Sequence, residues 1–109
     1  MAEKKNAREE LLRFLDKKAF DPILNTSAEK YHSEAAKKKL QDAKQSTAGT
    51  KKRYHEEYGS AEEVLKRFKD DLSSDAAKKV QRELKELGLP TLPELSHEFE
   101  QLADQMGVH

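Results

Sequence analysis

The chain contains no cysteine and no tryptophan, only four glycines and three prolines in 109 residues, and no apolar run longer than pairs such as Leu11-Leu12 and Ile23-Leu24. Each shortage excludes something. Without cysteine there is no disulfide framework, no thiol nucleophile and no thiolate metal site. Without a long apolar run there is neither a signal-peptide core nor a membrane span, so a reducing cytoplasm is the expected location. Glycines at 49, 59, 88 and 107 are too scattered for a phosphate-cradling loop. Seven glycines and prolines together are too few for a low-complexity linker.

Large apolar residues are also scarce. Leu, Ile, Val and Phe number 21, a share that suggests disorder when net charge is high. Here 21 basic side chains balance 21 acidic ones, which removes that second condition. A single folded domain spanning 1–109 with one modest core is expected. The balance hides an asymmetry, because residues 1–58 carry 14 bases and 10 acids while residues 59–109 carry 7 and 11. The two halves either attract each other or face different partners.

Helix signals recur along the chain and strand signals are nearly absent. Residues 1–6 are expected to be disordered, with Asn6 capping a first helix that runs to about Ala19. Leu11, Leu12, Phe14, Leu15 and Ala19 form its apolar stripe. Pro22 disfavours helical geometry at Asp21, so this helix should end by then. Thr26-Ser27-Ala28-Glu29, Ser60-Ala61-Glu62-Glu63 and Thr91-Leu92-Pro93-Glu94 have capping-box spacing and should each open a helix. Ser73-Ser74-Asp75 opens another, and Leu87-Gly88-Leu89-Pro90 is a stop signal. Residues 41–53 read as a mobile loop or frayed helix, because Leu40 is the only large apolar residue between Lys37 and Arg53. Tyr54 and Tyr58 then fall on a short helical piece ending at Gly59. The fold class is therefore all-α, a compact bundle of about five helices. Its expected core is Leu11, Leu15, Phe20, Leu24, Leu65, Phe68, Val80, Leu84, Leu87, Leu95, Phe99 and Leu102.

Chemical motifs are weak. Glu29 with His32 and Glu94 with His97 have the Glu-x-x-His spacing used by di-iron bundles. With 14 glutamates in the chain that spacing arises readily by chance, and both glutamates have a simpler role as capping partners. His55, Glu56 and Glu57 are adjacent, so on a helix they point in different directions. No His-Glu-x-x-His and no Gly-x-Ser-x-Gly pattern is present. The expectation is no catalytic residue, no metal and no cofactor.

Two surfaces remain. Lys37, Lys38, Lys39, Lys44, Lys51, Lys52 and Arg53 contrast with a single acid, Asp42, and Tyr54 adjoins them. These eight residues are the candidate partner-binding set. Such a surface neutralises phosphates, and Tyr31, Tyr54 and Tyr58 are placed to stack on single-stranded bases. A net charge of zero argues against nucleic acid, and a solvated helix face is the simpler account. Opposite in sign, the segment from Gly88 to His109 carries Glu94, Glu98, Glu100 and Asp104 with no Lys or Arg. Its apolar stripe would suit a basic partner helix or a second copy if its own core left it uncovered. The leading expectation is a non-enzymatic adaptor or regulator that binds another protein. The alternative is a nucleic-acid-associated protein that uses the basic stretch 37–54.

Overall fold

A computed structural model describes residues 7–109, and among these every regular element is a helix. The expected all-α single-domain bundle is borne out, with five α-helices of nine residues or more. The expectations for residues 1–6, including the Asn6 cap, lie outside the described residues.

Helix α1 (Ala7–Leu15) buries Leu11, Leu12 and Leu15. The chain does not stop before Pro22 as expected. It passes through a π-helical turn, Asp16–Phe20, into a short α2 (Asp21–Leu24) with Pro22 in its first turn. Asp21 stays helical at φ −65° and ψ −37°, and its N–H donates to the Asp16 carbonyl five residues back. In an ordinary α-helix the proline ring clashes with the carbonyl four residues earlier. The wider π turn just ahead of Pro22 re-aims those carbonyls, and the helix survives. Phe20 then joins one apolar cluster and Ile23 another.

Thr26 does not cap a helix. Its hydroxyl donates to the Pro22 carbonyl at 2.6 Å. Ser27 caps a single 3₁₀ turn, Ala28–Lys30, by accepting from the Glu29 N–H at 3.2 Å. The long helix α3 (Glu34–Glu57, 24 residues) opens at Ser33, which accepts from the Ala36 N–H at 3.0 Å. Three nearby Thr and Ser hydroxyls compete for the capping role, and the one followed by uninterrupted helix formers wins.

Residues 41–53 are neither loop nor frayed end: they lie within α3. Leu40, Ala43, Thr47 and Tyr54 recur at helical spacing and are all buried. Scoring only large apolar residues missed Ala43 and the methyl face of Thr47. Gly49 occupies open surface, where an added Cβ would meet nothing within 4 Å, so packing does not require it.

Helix α4 (Ala61–Ser73) starts with the expected capping box. Ser60 Oγ accepts from the Glu63 N–H at 3.2 Å, and Glu63 Oε1 accepts from the Ser60 N–H at 3.0 Å. Helix α5 (Asp75–Glu86) follows directly, with Ser74 capping through the Ala77 N–H at 3.1 Å. It ends in the expected Schellman turn at Gly88, φ +76°, with Leu89 N–H on the Leu84 carbonyl at 2.9 Å. Thr91 precedes α6 (Leu92–Gln105) but accepts no capping hydrogen bond, and its side chain is buried instead. Gly107, φ +75°, repeats the Schellman geometry and turns Val108 back into the core.

The interior is not the single core expected. One cluster gathers α1, the π turn, α4, α6 and Tyr54 around Phe68 and Phe99, whose ring centroids are 4.3 Å apart. The other joins Ile23, Leu40 and Ala43 to Leu84, Leu87 and Leu89. Leu24, Val80, Leu95 and Leu102, expected in the core, are only half-buried. Leu12, Ile23, Leu40, Tyr54, Val64, Leu89 and Val108 are buried as well, Leu12 as its place in the apolar stripe implied. The two clusters lie along a body measuring 52 × 25 × 22 Å.

Phe68 and Phe99 are each fully buried. Replacing either with Ala should cost about 3–5 kcal/mol in denaturant unfolding. Hydrogen exchange checks the continuity of α3, and amides from Ala43 to Tyr54 should be protected well beyond those flanking Gly59.

Candidate binding surfaces on the long helix

All eight candidate residues lie on α3, but they do not form one patch. Tyr54 is the clearest correction. It is 1 % exposed and is unavailable to stack on a base. Its ring packs edge-on against Phe20 at 5.6 Å and Tyr58 at 5.1 Å, and its hydroxyl donates to Asp71 Oδ2 at 2.6 Å. Burial, reinforced by the Asp71 carboxylate, pushes the phenol well above its ordinary value. The other proposed stacking tyrosines are also half-buried: Tyr31 donates to the Leu87 carbonyl at 2.8 Å, and Tyr58 lies beneath Arg67 at 6.0 Å.

Three of the seven cations are engaged within the fold. Lys39 meets Glu86 at 2.9 Å, an ion pair joining the two halves of the chain. Lys51 meets Asp21 at 2.9 Å, and Lys37 lies 3.8 Å from Glu34. The hydrogen bond to Glu86 raises the Lys39 ammonium above its usual range, and that to Asp21 does the same for Lys51. Lys38, Lys44 and Lys52 make no ion pair with any described residue. Their spacing of six and eight residues keeps them within about a third of the helix circumference, with Lys38 and Lys52 exposed and Lys44 half-buried at the edge of the buried face. Lys37, Lys38 and Lys44 border a shallow hollow floored by Leu40.

On another side of α3 lies a feature that no single stretch of sequence signals. Ser46, Thr47, Thr50 and Arg53 line a cleft of about 270 Å³ that faces α5. Ala76, Ala77, Val80, Gln81 and Leu84 form the α5 wall, and Phe20, Ile23, Pro90 and Leu92 close the apolar sides. Small α3 side chains leave the gap. The cleft lies where the two apolar clusters adjoin, with Phe20 belonging to one and Ile23 and Leu84 to the other.

Polar groups in this cleft are unevenly satisfied. Arg67 is 3.5 Å from Asp71, which also accepts from Tyr54. Arg53 reaches only the Thr50 hydroxyl, at 3.3 Å. Gln81 is 8 % exposed, and its Oε1 is buried without a hydrogen-bond partner among the described residues. Such an orphan acceptor typically costs about 1–3 kcal/mol.

The remaining candidate chemistry disperses. Glu29 ends up in the 3₁₀ turn and His32 beyond it, so the two share no helix face. Glu94 and His97 are exposed on α6. Among the described residues no group of three or more metal-ligating side chains gathers. His55 Nε2 contacts both Asp16 oxygens at 3.0 Å, and no described serine or threonine hydroxyl bonds to a histidine. The α6 stripe is docked on its own core, with Phe99 and Ala103 buried and Leu95, Leu102 and Met106 packed against the cluster. No described helix is long and apolar enough to cross a membrane.

Tyr54→Phe should separate the hydroxyl from the ring. The folded-state phenol is raised, whereas an unfolded one titrates near about pH 10. Its contribution to stability is therefore complete below about pH 10 and is lost as pH rises beyond that. Lys39 and Lys51, also raised, contribute in a similar alkaline window. Alkaline denaturation of Tyr54→Phe should accordingly be shallower than that of the parent, though not flat. An unchanged slope would contradict the Tyr54–Asp71 assignment.

No family model matches this sequence, and comparisons with curated proteins and with solved structures likewise find no match.

Proposed function

We propose that this protein is a non-enzymatic helical adaptor or regulator whose partner is another protein, engaged through an acidic segment at the outer face of α3. The observation that carries the reading is the set of Lys38, Lys44 and Lys52, held on one unbroken helix without ion pairs to described residues. A fixed row of unneutralised ammonium groups attracts carboxylates and steers their approach. Pairing within the fold engages Lys37, Lys39 and Lys51, which leaves Lys38, Lys44 and Lys52 as the lysines of α3 without an ion pair among the described residues. The absence of cysteine favours a reducing compartment such as the cytoplasm.

A protein partner is favoured over nucleic acid by the burial of Tyr54, which removes one stacking platform from the basic stretch. An enzymatic reading has less support, since the one described histidine with a side-chain partner, His55, bonds to Asp16 and no described serine or threonine hydroxyl bonds to a histidine.

The test is the triple variant Lys38→Glu, Lys44→Glu and Lys52→Glu. Changes at these sites should alter stability little, within about 0.5 kcal/mol each. A synthetic polyglutamate peptide should bind the parent in a salt-dependent manner and fail to bind the variant. Equal binding by both would refute the reading. Tight oligonucleotide binding at low salt, lost in the variant, would transfer the surface to nucleic acid.

A further inference from the structure

We propose that the outer face of α3 seats the acidic outer face of α6 from a second copy of this chain. The inference rests on the reading of the lysine row as a surface for acidic protein segments, and it names a segment that fits.

Charge sign singles out α6. From Gly88 to His109 the chain holds Glu94, Glu98, Glu100 and Asp104 and no Lys or Arg. All four are exposed, and none makes an ion pair with a described residue. Helices α4 and α5 instead mix both signs along their length. Glu94, Glu98, Gln101 and Gln105 are exposed and recur at spacings of four and three, which places them on one ridge about 17 Å long. Phe99 and Ala103 are buried on the opposite side.

The outer face of α3 has a matching layout. Lys38, Gln41, Gln45, Ala48 and Lys52 are exposed and recur at spacings of three and four, a ridge about 21 Å long with Lys44 at its edge. No acid lies on this ridge: Asp42 stands beside it and Glu56 one turn beyond Lys52. A second observation points to close approach of another helix. Glycine is among the costliest residues in a helix interior, yet a Cβ added at Gly49 would meet nothing within 4 Å. Nothing inside the molecule calls for that glycine. Next to the exposed Ala48 it leaves the α3 backbone open beside the ridge, where a partner's helix gains contact.

The two ridges meet only between copies. Helix α6 packs on α1, α4 and the π turn, whereas α3 packs on α2, α5 and the π turn, and each ridge points away from its own core. A net charge of zero removes overall repulsion between copies. Pairing unlike faces is a heterologous contact. Two such ridges bury less than the roughly 800 Å² per partner of a stable complex, so the association is weak, salt-dependent and concentration-dependent.

Sedimentation equilibrium at high protein concentration and low salt should give an average mass above the monomer's, returning to it in about 0.5 M salt. Ala48→Gln with Gly49→Gln keeps the charge, favours the helix and fills the gap beside the ridge. That variant should associate at least about tenfold more weakly without a lower melting temperature. Polyglutamate, a flexible chain that needs no close approach, should still bind it, which separates this pairing from the general reading of the row. Lys38→Glu with Lys52→Glu should be monomeric. Adding Glu94→Lys and Glu98→Lys swaps the two ridges and should restore association. Adding Glu62→Lys and Asp70→Lys instead restores only the net charge and should not. A parent that stays monomeric while binding polyglutamate would overturn the pairing and leave the general reading standing. Undiminished association of the filled variant, or equal behaviour of the two charge-restored variants, would also overturn the pairing.

Discussion

The fold depends on one buried hydroxyl. Tyr54 sits where α3 meets the first core, with its ring wedged against Phe20 and Tyr58 and its hydroxyl on Asp71. A phenol this deep is stable only if its O–H finds an acceptor, because the unpaired group would forfeit its hydration. Asp71 supplies that acceptor from the end of α4, and Arg67, lying 3.5 Å from Asp71 and over the Tyr58 ring, offsets the carboxylate charge. The network closes on itself. Arg8 adds a tether from α1 to the end of α3, donating to the His55 and Tyr58 carbonyls that the helix leaves open. With its C-terminal half fixed in this way, α3 runs outward as a rigid beam, and the second cluster assembles along its earlier turns.

The π turn at Asp16–Phe20 meets the complementary requirement. A chain with few large apolar residues must distribute them across two clusters, and one segment has to feed both. Phe20 and Ile23 are three residues apart and would share a face on a regular helix. They keep that shared side here, both lining the cleft between α3 and α5, and so stand at the junction of the two clusters. Pro22 is thus compatible with continued helix only because the preceding turn is wide.

Much of the architecture was legible because local signals act locally. Ser60 with Glu63, and Gly88 followed by Leu89, satisfy backbone groups within one turn, so their spacing alone specifies the geometry. Leu11, Leu15, Phe68 and Phe99 were likewise readable from periodicity. Failures arose where signals competed or acted at a distance. Thr26 was read as the cap, but its hydroxyl turns back to the Pro22 carbonyl, Ser27 caps only the 3₁₀ turn, and Ser33 opens the long helix. The helix through residues 41–53 is sustained by Ala43, Thr47 and Tyr54, whose apolar surface is small or partly polar by name. The basic candidates were read as spread over a helix, a mobile stretch at 41–53 and a short piece at Tyr54, whereas one helix carries them all, and sequence could not divide the paired from the unpaired. Whether Lys39 is free depends on Glu86, which lies 47 residues away.

The cleft was illegible for the same reason in stronger form, since Thr47, Arg53, Gln81 and Ile23 come from three separate segments. Once assembled, it poses a stability problem. A chain with little apolar area gains from every well-filled gap, yet here small side chains line one wall and a buried amide oxygen goes unpaired on the other. Methionine at position 81 would fill similar volume with no polar penalty. Gln81 also differs from the other buried polar side chains in kind: Thr47 presents a methyl, whereas an amide oxygen has no apolar face. The orphan oxygen therefore costs stability that no hydrogen bond among the described residues offsets.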